Sequence, residues 1–169
     1  MKTFREFMTS PSRVDTLYVH RNLINSEDVI KWHKENLNCS HLKEDDFHVT
    51  IAFSREEVEW SQFEPLSNPL KVKLKNVKPE KLGEQGAIVL RFECDELGER
   101  WKEFKAGGAS WDYPSYKPHL TLSYSYPGTE AELRKVKGYT GTLEFGPEVF
   151  GEVEEDWAAK IEEEEFGDV

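Results

Sequence analysis

The sequence predicts an α+β fold built from two similar lobes. The first observation is a pair of strand-like runs that each carry a histidine followed two places later by a threonine, His48 with Thr50 and His119 with Thr121. The second is that a strand, a helix and a loop precede both motifs in the same order. The third is spacing, because 33 positions separate the start of the first strand from its histidine, and 32 do so in the second half. This repeat implies a pseudo-twofold relation in which the two histidine strands face each other across a cleft.

The first half has a simple order of elements. We predict a strand at 15–20, a helix at 26–37, the first histidine strand at 47–54, an irregular connection at 56–69 and a strand at 70–77. Ser26 can cap the helix, and Glu27 and Asp28 in its first turn suit the positive end of the helix dipole. The lysines that alternate with apolar residues in the last strand are typical of a charged edge strand, and we prefer this interpretation to a phosphate site.

The second half repeats this order and then extends it. We predict a strand at 87–92, a helix from 95 to about 106, an aromatic loop at 109–116, the second histidine strand at 117–124, a short helix at 129–137, a turn at 138–141, one or two strands in 142–153 and an acidic helix or tail at 154–165. Asp95 can cap the first of these helices, which carries Leu97, Trp101 and Phe104 on one face. Residues 1–14 show no clear period and are predicted to be a loop.

Each histidine motif has two chemically different faces. Side chains two positions apart leave a strand on the same face, so we expect His48 and Thr50 to share one face while Val49, Ile51 and Phe53 share the other. The second motif has the same division between a polar and an apolar face. We therefore expect the imidazole and hydroxyl pairs to line the cleft.

Size and hydropathy fit one domain over residues 1–169. A mean hydropathy of −0.70 and the lack of a long apolar run argue against a membrane span, and the first residues lack the apolar stretch of a signal peptide. We expect a cytoplasmic protein on these grounds. Cys39 and Cys94 form no disulfide framework and have no metal-like spacing, so both are predicted to be reduced and structural.

The negative charge is concentrated at one end of the chain. The formal net charge is −11, of which residues 152–169 carry −8, from nine acidic residues against Lys160, so the rest carries −3. Such a body is not basic enough to bind long nucleic acid, whose affinity rests on many phosphate contacts. A small anionic ligand held by a few local donors is compatible with it.

Two imidazoles and two hydroxyls favour acid–base chemistry. Neither motif offers a third residue at metal-ligand spacing, so we predict no metal site. Because imidazole titrates at about pH 6.5, one ring can take a proton while the other gives one, as cleavage of a phosphodiester requires. Thr50 and Thr121 would donate to the non-bridging phosphate oxygens, and a ribose 2′-hydroxyl beside the phosphate can act as the nucleophile. His20, His33 and His41 lack a hydroxyl two places later and are predicted to be ordinary surface or helix residues.

The paired His-x-Thr strands resemble the signature of the two-histidine (2H) phosphoesterase superfamily. Within it, the run SWDYPSYKPH at 110–119, the strand DTLYV at 15–19 and the ending EDW at 155–157 resemble the bacteriophage anti-CBASS phosphodiesterases. This resemblance implies two pseudo-symmetric antiparallel sheets around a central cleft, with helices packed outside. It also implies a monomer that needs no cofactor or metal and that hydrolyses 3′-5′ bonds of cyclic di- and trinucleotide messengers in the host cytoplasm, where it counteracts the CBASS defence.

The resemblance also assigns site residues. The catalytic set is His48, Thr50, His119 and Thr121. Substrate contacts are expected from Tyr18, Trp111, Tyr113, Lys117, Glu148 and Trp157, with Glu152 as a second acidic candidate on the strand face of Glu148. The three aromatic rings at 18, 111 and 113 would stack on bases, and packing in the core is the alternative for each. Lys117 lies two residues before the second histidine and would neutralise a phosphate.

Two other functions stay open. One is an RNA-end or 2′-5′ phosphodiesterase of the same superfamily, against which the near-neutral body of the chain argues mildly. The other is a non-catalytic nucleotide-binding module, which the presence of both histidines and both threonines disfavours. The two-lobed symmetry leaves the acid and base roles of the two histidines interchangeable.

Overall fold

A computed structural model describes residues 13–154 of the 169-residue chain. Its strands are β1 (Val14–Leu23), β2 (His48–Glu59), β3 (Leu70–Val77), β4 (Glu80–Leu82), β5 (Ala87–Arg91), β6 (His119–Ser123) and β7 (Tyr139–Gly151). Its α-helices are α1 (Ser26–Asn36), α2 (Asp95–Ala106) and α3 (Glu130–Leu133), with 3-10 turns at Glu44–Asp46 and Trp60–Gln62. Of the predicted loop at 1–14, Val14 is instead the first residue of β1. Residues 1–12 and 155–169, which hold the rest of that prediction, most of the acidic segment at 154–165 and the predicted contact of Trp157, lie outside the described residues.

The described strands form two antiparallel sheets, which confirms the predicted α+β class. One sheet has the order β2-β1-β7-β3, and the other has the order β4-β5-β6. In each sheet the histidine strand pairs with the strand that begins the same half of the chain, β2 with β1 and β6 with β5. The first sheet also receives β3 and β7 from later in the chain, so the two lobes share a plan and differ in size.

The apolar faces of the two histidine strands enter one hydrophobic core. Val49 and Ile51 of β2 are fully buried in the same cluster as Leu120 and Leu122 of β6. Because side chains alternate between the faces of a strand, this burial turns both histidine–threonine faces away from that core.

Strand β3 confirms the interpretation of its lysines. It lies at the outer end of the order given for its sheet, with Leu70, Val72 and Leu74 buried and the three alternating lysines exposed. An exposed row of like charges discourages pairing with another chain at such an edge.

The structure differs from the prediction after the second histidine strand. Helix α3 spans Glu130–Leu133 only, although Thr129 and Glu132 form the capping box that starts it. The predicted turn at 138–141 is instead the beginning of β7, which runs unbroken to Gly151. This long strand pairs with β3 along its first part and with β1 along its second, so its length depends on two partners that the local sequence does not show.

Strand β2 is also longer than predicted, because it continues through Glu59 into the segment read as an irregular connection. Its added residues pair with the start of β1, where Val14 lies opposite Glu59. In the part of the chain from 13 to 154, none of the helices has both the length and the apolarity needed to cross a bilayer.

Candidate active site

The two motif histidines make matching hydrogen bonds to the backbone. Nδ1 of His48 lies 2.9 Å from the carbonyl oxygen of Asp46, and Nδ1 of His119 lies 3.1 Å from that of Lys117. Each ring is therefore held by the carbonyl two residues before it. Since a carbonyl only accepts, Nδ1 carries the proton in the neutral ring, and Nε2 is the nitrogen with the lone pair. The two imidazoles thus share one tautomer.

The two histidine strands are direct neighbours across the junction of the sheets. One link is the hydroxyl of Tyr116, which donates to the backbone carbonyl of Thr50 at 2.7 Å. Burial of that hydroxyl raises the pKa of Tyr116, so the phenol keeps its proton and remains a donor. This bond ties the segment leading into the second motif to the first motif. No local sequence pattern marks Tyr116 for this contact, which joins residues 66 positions apart.

The threonine of each motif shares a strand face with its histidine and is buried. Thr50 is 9% exposed and Thr121 is 2% exposed, whereas both histidines are half-buried. A buried hydroxyl next to an imidazole is held in one place by its surroundings. It is suited to donate to an anionic oxygen without reorganisation.

The predicted stacking residues gather in one aromatic cluster. Tyr18 and Phe53 form its buried centre, and Trp111 and Tyr113 pack against them. The predicted place of Phe53 beside Val49 and Ile51 is wrong, because the pairing of β1 with β2 shifts register between Val19 and His20 and interrupts the strict alternation of β2. Tyr18 is 7% exposed and stacks on His20 with ring centroids 4.9 Å apart, so most of its ring surface is used inside the protein. Trp111 and Tyr113 are half-buried, with centroids 6.3 Å apart, and present more ring surface at the edge of the site.

Polar bonds anchor the aromatic loop at 109–116 to β2. The backbone N–H of Ser110 donates to Oγ of Ser54 at 2.9 Å, and the guanidinium of Arg55 pairs with Asp112 at 3.1 Å. Trp111 is oriented within the loop, since its indole N–H donates to the carbonyl of Ser115 at 3.0 Å. The loop is thus anchored to the part of β2 that follows the first motif by two independent contacts.

Glu148, a predicted substrate contact, lies in the interior of the protein. Its carboxylate is fully buried, pairs with Arg100 at 2.8 Å and accepts from the backbone N–H of Leu66 at 3.0 Å. Glu148 pairs in register with Arg21, which lies opposite the core residue Val49, so it faces the side of the sheet away from the first motif. Removal of this carboxylate would leave the guanidinium of Arg100 buried without a counter-charge, so Glu148 is committed to that pair. This placement argues against contact with a ligand at the histidines.

The other charged candidates lie at the surface. Lys117 is exposed, and its backbone carbonyl holds the ring of His119. Glu152 accepts from the guanidinium of Arg13 at 2.6 Å. Its carboxylate is therefore partly neutralised in this structure.

The sheet register places two further residues beside the motifs. His20 lies opposite Thr50, with its ring centroid 5.6 Å from that of His48. Arg91 lies opposite His119, and its Nε is 3.6 Å from a carboxylate oxygen of Glu80. Directly opposed residues of an antiparallel pair share a face with Cβ atoms about 4.5–5.5 Å apart, so both side chains adjoin a motif histidine. His20 is therefore not the ordinary surface residue that was predicted, and Arg91 was not considered.

The groups on and beside the two neighbouring strands are of the types that proton transfer beside an anion needs. Each of the two imidazoles can accept or give a proton through Nε2. The two buried hydroxyls can donate hydrogen bonds to the anion, and Arg91 and Lys117 supply positive charge. Within residues 13–154, no group of three histidine, cysteine or acidic side chains is arranged to hold a metal ion.

The family model of the anti-CBASS protein Acb1 matches residues 15–160, which is most of the chain. The chain belongs to the anti-CBASS Acb1 family. It is 42% identical over 152 residues to an anti-CBASS protein Acb1 of Caulobacter sp. (strain RHG1), covering 87% of this chain and 24% of that protein. It is 39% identical over 149 residues to that of Sphingomonas paeninsulae, covering 83% and 23% respectively. This Acb1-family chain thus spans about a quarter of the length of these two bacterial relatives.

A phage relative matches a larger part of its own length. The Acb1 protein of Vibrio phage KVP40 is 31% identical to this chain over 108 residues, covering 61% of this chain and 70% of the phage protein. Acb1-family sequences related to this chain are therefore found in both bacteria and phages.

Solved structures share the fold of this Acb1-family chain. E. coli LigT in complex with NADP+ superposes with a TM-score of 0.53 at 15% identity, covering 82% of this chain and 87% of LigT. A protein described as a phosphoesterase gives the same TM-score at 14% identity, covering 80% and 86%. At such low identity the likeness concerns the fold alone.

Proposed function

We propose that this chain is a metal-independent phosphodiesterase that hydrolyses the 3′-5′ bonds of cyclic di- and trinucleotide second messengers and so counteracts a CBASS defence. The observation that carries the proposal is the matched pair of Nδ1 hydrogen bonds at His48 and His119. These bonds orient two rings of the same tautomer on neighbouring strands. Membership of the anti-CBASS Acb1 family supports the choice of substrate.

In the proposed reaction, one imidazole accepts the proton of the attacking hydroxyl through Nε2. A ribose 2′-hydroxyl beside the scissile phosphate is the internal nucleophile, and its oxygen forms the new bond to phosphorus as the bond to the 5′-oxygen breaks. The other histidine, protonated at the start, gives its proton to that leaving oxygen. Water then opens the resulting 2′,3′-cyclic phosphate with the two proton-transfer roles exchanged, so both rings return to their initial states.

The threonine hydroxyls and the cations act on the phosphate itself. Thr50 and Thr121 donate to the non-bridging oxygens, where negative charge gathers in the transition state. Arg91, across from His119, neutralises the anion as Lys117 does at the mouth of the site. Removing one positioned donor of this kind costs about 100- to 1,000-fold in turnover at sites where it is the main stabiliser.

The reaction is tested by supplying three substrates in EDTA. The chain is incubated with 3′,3′-cyclic GMP-AMP, a 2′-5′ oligoadenylate or a 2′,3′-cyclic nucleotide, and the products are resolved by chromatography. We expect linearised dinucleotide products from the first substrate. Cleavage of the oligoadenylate alone would indicate a 2′-5′ phosphodiesterase, and opening of the 2′,3′-cyclic nucleotide alone would indicate an RNA-end activity. Binding without any product would indicate a nucleotide-binding module, and each of these results would overturn the proposal.

A further inference from the structure

A third imidazole lies beside the first motif. His20 of β1 is opposite Thr50, and its ring meets that of His48 nearly at right angles, with planes inclined at 74° and centroids 5.6 Å apart. The corresponding position of the second half, opposite Thr121, is occupied by Val89, which is fully buried. The two halves therefore differ at one defined position next to the histidine motif.

The ring of His20 is held from both sides. Tyr18 stacks on it with centroids 4.9 Å apart and planes inclined at 24°, and Tyr18 in turn meets Phe53 edge-on at 6.0 Å. His20 is thus wedged between a buried tyrosine and His48. Its Nδ1 atom is buried and has no hydrogen-bond partner among residues 13–154.

These surroundings keep His20 neutral. Burial is the main reason why the pKa of His20 is lowered to about 4, and the charge of the nearby His48 ring is the second. The side chain of Asn22 has a smaller, opposite effect through hydrogen bonding. The register places Tyr18, Asn22, Thr50, His48 and Val149 on the faces of β1, β2 and β7 around this ring. Of these, only Tyr18 and His48 titrate, so the ring has no carboxylate neighbour in this set to hold a proton on it.

We propose that His20 is a positioning residue for His48, a neutral ring that fixes the orientation of the neighbouring imidazole and leaves it as the one proton carrier on this side of the site. This inference rests on the phosphodiesterase function proposed above. A second titrating imidazole in contact with His48 would share or repel its proton. A neutral, wedged ring supplies the packing surface without that competition.

The first test separates orientation from binding. Replacing His20 with valine, the residue at the equivalent position of the second half, removes the ring, so we expect kcat to fall about tenfold or more while KM stays within about twofold. His20→Phe keeps a flat ring against His48 and Tyr18, and we expect its kcat to remain within about threefold of the wild-type value. A valine variant with normal kcat, or a phenylalanine variant as damaged as the valine variant, would overturn the proposal.

A matched control is available in the same chain. His41 meets His33 in a similar ring pair, with centroids 5.6 Å apart and planes inclined at 79°. His41→Val removes one member of that pair outside the motif strands. We expect it to leave kcat and KM unchanged, and a loss as large as that of His20→Val would mean that any histidine pair matters only for folding.

Nitrogen-15 NMR tests the same inference without substrate, because it reports the tautomer and the protonation of each imidazole. In the wild-type chain we expect the neutral His48 ring to carry its proton on Nδ1 and the His20 ring to titrate at about pH 4. In the valine variant we expect a larger share of the Nε2–H tautomer of His48, because the Asp46 carbonyl then orients the ring without the packing surface of His20. An unchanged His48 tautomer, or a wild-type His20 that titrates at about pH 6.5 like a model imidazole, would contradict the proposal.

These measurements distinguish the inference from the proposed function. A wild-type chain that cleaves none of the substrates refutes the phosphodiesterase, while the His48 tautomer and the His20 titration still decide whether His20 positions that ring. If the valine variant does not fold by circular dichroism, the phenylalanine variant and the wild-type titration decide the question.

Discussion

The two histidine strands hold their imidazoles in the same way but have different neighbouring residues. Both hold their histidine by a carbonyl two residues upstream, and both bury the adjacent threonine. Across from the first motif the neighbouring strand offers His20 and Asn22, which are neutral near pH 7. Across from the second motif it offers Val89 and Arg91, the latter a permanent cation.

This difference indicates how a symmetric pair can act on a substrate with a direction. Two identical proton carriers do not by themselves distinguish the attacking oxygen from the leaving oxygen. The neighbours of the two motifs do distinguish them. Bases can stack on the neutral, aromatic residues beside the first motif, whereas phosphates are drawn to the cationic side formed by Arg91 and Lys117 beside the second. We expect substrate orientation to come from these unlike neighbours and not from the motifs themselves.

The largest effect on turnover should come from the two motif histidines, which both strands share. His48→Ala and His119→Ala each remove one proton carrier, so we expect turnover to fall by at least about 100-fold in both variants, with substrate binding largely kept. Single-turnover rates and titration binding of a cyclic dinucleotide measure the two quantities. A variant that retains a near-normal rate would break the two-proton scheme and the equivalence of the strands.

The threonines should come next and should again be similar. Thr50→Val and Thr121→Val remove a hydroxyl without changing side-chain shape, and hydrogen bonds to charged groups are worth about 1.5–3 kcal/mol, so we expect kcat to fall between about 10- and 100-fold. The serine variants keep the hydroxyl and serve as controls. Equal activity of the valine and serine variants would show that these hydroxyls only pack.

The cationic side should respond differently from the motifs. Arg91→Ala removes a charge beside His119, so we expect KM to rise about tenfold with a smaller change in kcat. Glu80→Gln is the matched control, because it removes the carboxylate 3.6 Å from Arg91 and should lower KM by releasing the guanidinium. If both variants change KM in the same direction, Arg91 does not contact the substrate.

Acid should destabilise the first half through His20. The folded-state pKa of about 4 lies below the ordinary 6.5, so the unfolded chain binds this proton first, and stability present above pH 6.5 is lost as the pH falls toward 4. His20→Phe keeps the ring but lacks this titration, so we expect its melting temperature to fall less between pH 7 and 4.5, by about 2–4 °C. Parallel curves for wild type and variant would show that His20 has the same pKa in the folded and the unfolded chain.

The smallest effect should come from the ion pair between Arg55 and Asp112 that anchors the aromatic loop. Asp112→Asn weakens a partly exposed ion pair with Arg55, so we expect a loss of unfolding free energy below about 1 kcal/mol. The loop retains the bonds of Ser110, and we expect KM to rise about two- to threefold, as measured by steady-state kinetics. A rise as large as that of Arg91→Ala would make the loop, and not the cationic side, the main determinant of binding.

Much of the candidate site could be predicted from the sequence, because the alternation of side chains along a strand depends only on local spacing. The i and i+2 spacing placed His48 with Thr50 and His119 with Thr121 on polar faces, and the burial of Val49 and Leu120 on the opposite faces confirms it. The aromatic residues at 18, 111 and 113 were also identified, and the structure brings them into one cluster. The burial of Glu148 against Arg100 could not be predicted, because its face of the sheet is set by the register with Arg21 on another strand.

By itself, the sequence determined the two-lobed α+β plan, the paired motifs, the charged edge strand and the family. These depend on periodicity and on residue types within short segments, where neighbours along the chain are also neighbours in space. Only the tertiary structure decided that His20 and Arg91 adjoin the motifs, that Tyr116 ties them together and that β7 runs unbroken between two partners. Cross-strand register and long-range hydrogen bonds join residues far apart in the chain, so no local pattern records them.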